Sequence, residues 1–431
     1  MKKSILLLAS LVFAAASTKA SAFTLYITGS SAFRGQVDAA LKSGTFGYTS
    51  QGWTKGANSG KANNAVYVNG SNKIIAHWSG SVGGIQAVAQ NRTDVPYLVP
   101  TYTGTGDATL NPDTDAADTG HIADFAFTDV YQSASPYPTP LLTSDIVGIN
   151  AFRVVANYVS GGNPVTHLNY QQARALWSAG KMDLSQITGL NSDKGKTIYA
   201  MGRDPDSGTR LTFFAETGIG ALSVVNQYTA TTTTSTAITQ VDLVPASTVY
   251  GVGFGIGNGG YSSGGTLAGV LRLDASAAHV GSGSAGQAYF VSYLSRGDSD
   301  TAIGADGTVT GSGNASLVQF ENSDVAANVY PTQTTGNDHN NLAFEIQNGS
   351  HPFWSYEHAI HGASISSNAQ TVYTALVNYM QDYHNTSGNS NATATGTGTA
   401  NGIYAADGGV TSYGTMNVYR SSDGGTILST N

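Results

Sequence analysis

Short apolar runs and amphipathic stretches alternate from Thr24 to about Phe214, with glycine- and serine-rich turns between them. The run Phe23 to Ile27 reads as a buried strand, and the turn Gly29-Ser30-Ser31-Ala32-Phe33-Arg34 leads into a helical pattern with Val37, Ala40 and Leu41 on one face. The unit recurs at once. Lys73 to Trp78 reads as a strand, Gly80-Ser81-Val82-Gly83-Gly84-Ile85 as a turn, and Ile85, Val88 and Ala89 as the apolar face of a second helix. Further strands are expected at Phe125 to Thr128, Phe152 to Asn157 and Ile198 to Met201, with helices over Leu168 to Lys181 and Leu211 to Glu216. Such alternation predicts an α/β fold with parallel strands. Downstream, the Thr-rich stretch Thr229 to Thr236 is expected as a surface loop. Ala369 to His384, with Val372, Ala375, Leu376, Tyr379 and Met380, is expected as an amphipathic helix, and the tail as a β-hairpin around Asp423-Gly424-Gly425.

The turns carry the candidate chemistry. Gly202-Arg203-Asp204-Pro205-Asp206-Ser207-Gly208-Thr209 places a guanidinium, two hydroxyls and a glycine backbone at the start of a helix, where free N–H groups and the positive dipole end favour a tetrahedral oxyanion. Three strand–turn–helix units can aim three helix N-termini at one ligand, and open α/β sheets bind ligands beyond the carboxyl ends of their strands.

The order of these segments resembles that of the phosphate-binding periplasmic proteins of ABC transporters, the PstS-like substrate-binding proteins. The resemblance rests on Gly29 to Phe33, on Gly80 to Gly84, on Asp124-Phe125-Ala126-Phe127-Thr128-Asp129, on Arg203 to Thr209, and on Leu168 to Lys181, which is similar to the family's helix and Ser-Gly-Lys turn. It spans residues 29 to 209 and thins beyond. It implies a two-lobed α/β binding protein of the type II-like class, with a cleft between lobes that close on the ligand. The phosphate-binding residues it implies are Ser31, Ala32, Phe33, Ser81, Asp129, Arg203, Ser207, Gly208 and Thr209. It implies inorganic phosphate and an inner-membrane ABC transporter permease as partners, a monomer, no cofactor and no catalysis. This chain departs from the pattern at Ala32, where the family often carries a hydroxyl, and at Pro205, where it usually carries Asp. A long polar insert, Arg92 to His121, also precedes Asp129.

Lys2 and Lys3, the apolar run Ile5 to Ala16 and the small residues Ala20-Ser21-Ala22 describe a secretory signal peptide over residues 1–22. Periplasmic or secreted localisation follows as an expectation. The chain has no cysteine, so disulfides and a lipidated cysteine are excluded. About 409 residues would remain, enough for two or more lobes. With the two strand-like crossings Phe152 to Asn157 and His351 to Tyr356, the expected division is 23–155 for the first part of lobe one, 156–352 for lobe two with its inserts, and 353–431 for the return and the Gly/Thr-rich tail. Formal charge is −8, and −11 without Lys2, Lys3 and Lys19, which argues against nucleic acid or anionic lipid as partners. Local dipoles and one buried arginine can still hold an anion in a desolvated cleft.

Competing readings stand beside these. Asp129 is a strange neighbour for an anion unless the ligand brings a proton, which phosphate does at neutral pH and sulfate does not; otherwise it is a turn or cap residue. Arg203 can instead pair with Asp204 or Asp206. Arg34 and Arg210 sit beside the turns but can face solvent, and Ser81 and Thr209 can serve as helix caps. Gly255, Gly257 and Gly260 make a formal G-x-G-x-x-G that no helical pattern follows. Lys194-Gly195-Lys196-Thr197 reads as a turn before a strand rather than a P-loop. His339, His351, His358 and His361 with Glu357 lack a zinc-binding spacing, and Ser207 lacks a nucleophile elbow. An exported cell-surface or matrix protein, keeping the same fold for an adhesive or scavenging role, is the alternative to transport.

Overall fold

The computed structural model describes residues 22–51, 64–102, 117–157, 165–244, 259–304, 315–321, 346, 349–385 and 418–429. Most of the expected signal peptide, much of the 92–121 insert, most of the Gly251 to Gly260 tract, His339 and residues 386–417 of the tail lie outside them. Strands β1 (Thr24–Gly29), β2 (Thr49–Gln51), β3 (Asn64–Asn69), β4 (Asn72–His77), β5 (Tyr97–Leu98), β6 (Ala117–Asp118), β7 (Phe125–Thr128) and β8 (Thr143–Asn157) come first. They are followed by β9 (His167–Leu168), β10 (Lys181–Asp183), β11 (Thr197–Ala200), β12 (Tyr228–Thr233), β13 (Ile238–Leu243), β14 (His279–Val280), β15 (Tyr289–Ser295), β16 (Ala315–Phe320), β17 (Trp354–His361), β18 (Val418–Tyr419) and β19 (Leu428–Ser429). The helices are α1 (Arg34–Lys42), α2 (Ser81–Ala89), α3 (Tyr170–Ala179), α4 (Ser185–Thr188), α5 (Gly208–Glu216), α6 (Gly264–Leu271), α7 (Arg296–Ile303) and α8 (Ser367–Asn385).

Twelve of the strands form one continuous sheet in the order β10-β11-β15-β8-β17-β7-β1-β4-β3-β2, with β16 on β8 and β9; β12-β13-β14, β18-β19 and β5-β6 form small separate sheets. Its topology gives two halves. β1 runs parallel to both β4 and β7, and β11 runs parallel to β15, as an α/β plan requires. β17 and β8 run antiparallel to their neighbours in the middle. β8 is the link. Its residues Thr143 to Ala151 pair with β17, and Phe152 to Asn157 pair with β15, so one unbroken strand passes from one half into the other. The expected two-lobed α/β class is the one observed.

Each half has its own core because its strands are covered on both faces, which is why β1, β7 and β15 read as nearly continuous apolar runs. In the first half Ile27, Phe125 and Phe127 pack with Val37 and Leu41 of α1 and with Leu376 and Met380 of α8; Ile85 and Val88 of α2 fill the other face. In the second half Trp177 of α3 meets Phe213 of α5 and Tyr293 of β15, with ring centroids 4.8 and 5.6 Å away. Helix α3 begins with the reciprocal Asn169/Gln172 capping box and ends on Gly180 in the left-handed region, so both ends are written in its sequence.

One expectation changes. Thr229 to Thr236 is not a plain loop, because β12 occupies Tyr228–Thr233 and pairs antiparallel with β13. Thr is β-branched and suits a half-exposed hairpin strand, a preference that a polar composition hides. The Glu357 to His361 segment lies in strand β17, so His358 and His361, three residues apart, face opposite sides of the sheet. The tail hairpin does form, with β18 antiparallel to β19.

Gly29 ends β1 with φ +116°, and an added Cβ would stand 2.0 Å from the Phe127 carbonyl oxygen. Gly29→Ala should therefore destabilise the protein by at least about 2 kcal/mol. Gly362→Ala, where nothing lies within 4 Å, should stay within about 0.5 kcal/mol. Thermal or denaturant unfolding of the pair checks this; equal stabilities would contradict the tight approach of β1 and β7.

Candidate functional site

The carboxyl ends of β1, β4 and β7 each feed a turn, and the three turns meet the segment before α5. Gly80 N–H donates to the Gly29 carbonyl at 2.9 Å, and Asp129 N–H donates to the Ser81 hydroxyl at 3.2 Å, locking the first three turns together. The fourth docks on them from the other half. The Asp206 carbonyl accepts from the N–H groups of Val82 at 2.9 Å and Gly83 at 3.3 Å, so a main-chain oxygen of one turn sits on the N-terminus of α2. A Cβ at Gly208 would stand 1.5 Å from Asp129 Oδ1 and 2.7 Å from Ser81 Cβ. Only glycine permits that contact.

Arg203 is buried and tied down. Nε donates to the Tyr261 carbonyl at 3.0 Å, and Nη2 donates to the Ser262 carbonyl at 2.9 Å and the Ser31 hydroxyl at 3.2 Å. Nη1 has no hydrogen-bond partner among the described residues, which leaves it as the donor available to a ligand. The Arg203 main chain is held as firmly. Its N–H donates to the Tyr293 hydroxyl at 3.3 Å, and its carbonyl accepts from Arg210 Nη1 at 2.9 Å and Gln227 Nε2 at 3.0 Å. Among the described residues no carboxylate forms an ion pair with Arg203. Asp204 is buried beside it and pushed well above the usual carboxylate range, first by desolvation and then by Asp206, against the pull of Arg203 and Arg210.

Asp129 is the electrostatic centre of this arrangement. Only 1 % of its surface is exposed, and its Oδ1 has no hydrogen-bond partner among the described residues. Burial pushes its pKa up to about 6, against the hydrogen bond of Ser81 and the charge of Arg203, which favour the anion. A buried carboxylate with a bare oxygen, close to a cation, is an acceptor without its proton donor.

The remaining sequence candidates fall around it. Ser207 caps α5, its hydroxyl accepting from Arg210 N–H at 3.3 Å. Thr209 is buried in the first turn of α5, and its hydroxyl has no partner among the described residues. Phe33 N–H is committed to the Ser30 carbonyl and hydroxyl, at 3.3 and 3.2 Å. Ala32 packs its methyl into the core of the second half. Arg34 is fully buried, its Nη2 3.4 Å from Asp298 Oδ1, and Arg210 is buried with its guanidinium over the Phe214 ring. Neither faces solvent.

Three groups at the site escaped the sequence patterns. The Tyr261 and Ser262 carbonyls that hold Arg203 lie beyond the glycine tract and have no side-chain signature. Glu357, fully buried on β17, accepts from Asn150 Nδ2 and is pushed far above the carboxylate range by desolvation and by Asp129. The third is the C-terminal hairpin. Asp423 Oδ2 accepts from Tyr131 N–H at 2.8 Å, two residues past Asp129, and the Arg420 carbonyl accepts from the Tyr131 hydroxyl at 3.0 Å. Arg420 Nη1 pairs with Glu216 at the end of α5 at 2.8 Å, its Nη2 donates to the Pro352 carbonyl at 2.7 Å, and its guanidinium lies 4.3 Å from the Trp354 ring centroid.

No protein-family profile and no curated protein matches the chain. Solved structures do. One is a phosphate ABC transporter substrate-binding protein from Clostridium perfringens with bound phosphate, at 11 % identity and TM-score 0.43, covering 84 % of this chain and 96 % of that one. An ABC-type phosphate transport receptor from Vibrio cholerae matches at 14 % identity and TM-score 0.40, covering 82 % and 93 %. A phosphate-binding protein from Stenotrophomonas maltophilia matches at 14 % identity and TM-score 0.36, covering 84 % of each. These proteins are what the chain is similar to, and at such scores the weight of any functional reading falls on the site's own residues.

Because the folded chain holds the Asp129 proton more tightly than the unfolded chain, stability falls as pH rises from about 4 to about 6, and the loss is complete above that. Asp129→Asn removes this dependence. The stability of the variant relative to wild type, without ligand, should rise by up to about 3 kcal/mol between pH 4 and pH 7. Chemical denaturation across that range measures it, and a flat difference would mean that Asp129 ionises as freely as an exposed aspartate.

Proposed function

We propose that this chain is an exported solute-binding protein that captures inorganic phosphate between its two halves for an ABC transporter, binding without turnover. The observation that carries the reading is the Oδ1 of buried Asp129, unpartnered among the described residues and set among the turns that carry Ser81, Arg203, Ser207, Gly208 and Thr209. Such an acceptor is satisfied by an oxyanion that brings its own proton. Arg203 Nη1 and the Thr209 hydroxyl supply donors for the other oxygens. No helix among the described residues is long and apolar enough to cross a membrane. The lobes of this reading are residues 23–155 with 353–431, and 156–352.

Gly208 presses directly on Asp129, so a tetrahedral anion cannot stand between them until the 203–209 turn withdraws. Binding then requires the halves to part and re-close around the ligand. The same contact favours a second reading, an exported cell-surface or matrix protein that keeps the fold while its turns satisfy one another, as the Asp206 carbonyl does on α2. One titration separates the two.

Stripped protein should bind phosphate with micromolar or better affinity, about −8 kcal/mol, and Arg203→Ala should weaken it at least about a hundredfold. Neither heat of binding nor thermal stabilisation at millimolar phosphate would leave the second reading standing. Asp129→Asn should narrow the preference for phosphate over sulfate at least about tenfold, because the amide donates where the carboxylate only accepts. Wild-type discrimination in that variant would make Asp129 a structural residue.

A further inference from the structure

Strand register sets a second carboxyl opposite the first. β17 pairs antiparallel with β7 through His358↔Thr128 and Ala359↔Phe127, so the next step along the ladder brings Glu357 across from Asp129. Both groups are almost wholly inaccessible, at 0 % and 1 % exposure, and each leaves one oxygen, Glu357 Oε1 and Asp129 Oδ1, without a hydrogen-bond partner among the described residues. The Ser30 hydroxyl stands by both and favours the charged form of each. It cannot serve both. A hydroxyl has a single hydrogen to donate, and Phe33 N–H already takes one of its acceptor sites. If Ser30 donates to one carboxylate, the other can approach its oxygen only by carrying a proton of its own.

We propose that Glu357 is the protonated member of a buried carboxyl pair, a positioning residue that keeps Asp129 as the single ionised acceptor and thereby sets the pH range in which the site takes a proton-bearing oxyanion. The order follows from the surroundings. Asp129 has the N–H-anchored Ser81 hydroxyl and the Arg203 guanidinium to favour its charge. Glu357 has Asn150 Nδ2 on its other oxygen and no cation among the groups acting on it, while the Asp129 charge opposes its ionisation. The carboxyl of Asp423, buried against Tyr131 N–H, is a further acid that also feels Asp129. Two like charges in one desolvated site cannot both form at neutral pH. The pair therefore carries one proton, and loss of the second proton at alkaline pH places a charge behind Asp129 that repels the ligand. This rests on the phosphate reading for its consequence, but not for its existence.

The test has a ligand-free arm and a binding arm. Without ligand, the stability difference between wild type and Glu357→Gln across pH 5 to 10 reports the ionisation of Glu357 beside Asp129, and the difference between Asp129→Asn and the double variant reports it without that charge. The titration should move down by at least about one pH unit when Asp129 is gone; the same midpoint in both backgrounds overturns the pair. Should a variant fail to fold, wild-type protein carrying carboxyl-labelled glutamate still decides. An isotope-edited infrared band of a protonated carboxyl should persist at pH 8, and its absence overturns the proposal. In the binding arm, calorimetric titration with inorganic phosphate should show wild-type affinity falling at least tenfold more than that of Glu357→Gln between pH 7.5 and pH 9.5. Parallel curves overturn the regulatory role. If wild type binds no phosphate at all, the proposed function fails while the ligand-free arm still decides the pair.

Discussion

The 203–209 turn and the N-terminus of α2 meet main chain to main chain, and the rest of the site depends on that closeness. The Asp206 carbonyl lies on two amides of α2, and Gly208 touches the Asp129 carboxyl with no side chain between. A contact of this kind needs glycine on several surfaces at once. Gly80 faces the Asp206 carbonyl, where a Cβ would stand 2.4 Å away, and Gly84 faces Gly29 at 2.7 Å. The glycines follow from a packing demand, since four turns cannot share so small a volume if each carries a Cβ.

That packing creates an electrostatic problem, which the charged residues answer unevenly. Among the described residues the guanidinium of Arg203 is held by backbone carbonyls and a hydroxyl rather than paired with an acid, so its charge remains available to the site. Three acids, Asp129, Glu357 and Asp204, are buried nearby, and desolvation is the largest influence on each. A buried carboxyl left with a bare oxygen is costly to stability. Its persistence at the meeting point of the turns is better explained by chemistry than by folding.

Much of this was legible in the chain. The parallel strand–turn–helix units and the order of the glycine turns are local patterns, and each appears where the sequence places it. The convergence of Ser31, Ser81, Asp129 and Arg203 could be read from their positions after strands. What could not be read is set by long-range pairing. Glu357 gains its meaning from a strand register with β7, more than two hundred residues away, and a lone acid in an apolar strand announces no partner. The carbonyls of Tyr261 and Ser262 carry no residue-type signal. Thr229 to Thr233 misled because polarity suggested a loop while β-branching decided the strand.

The C-terminal hairpin gives the molecule an order of assembly. Asp423 reaches back 292 residues to Tyr131, and Arg420 reaches back 204 residues to Glu216. Contacts of such separation form late, because loop closure must precede any gain from them. The backbone two residues past Asp129 and the far end of α5 thus acquire their final partners only when nearly the whole chain is present. A chain emerging from its N-terminus can build the sheet and both cores first, and the surroundings of the buried carboxyl are completed by a segment that follows them.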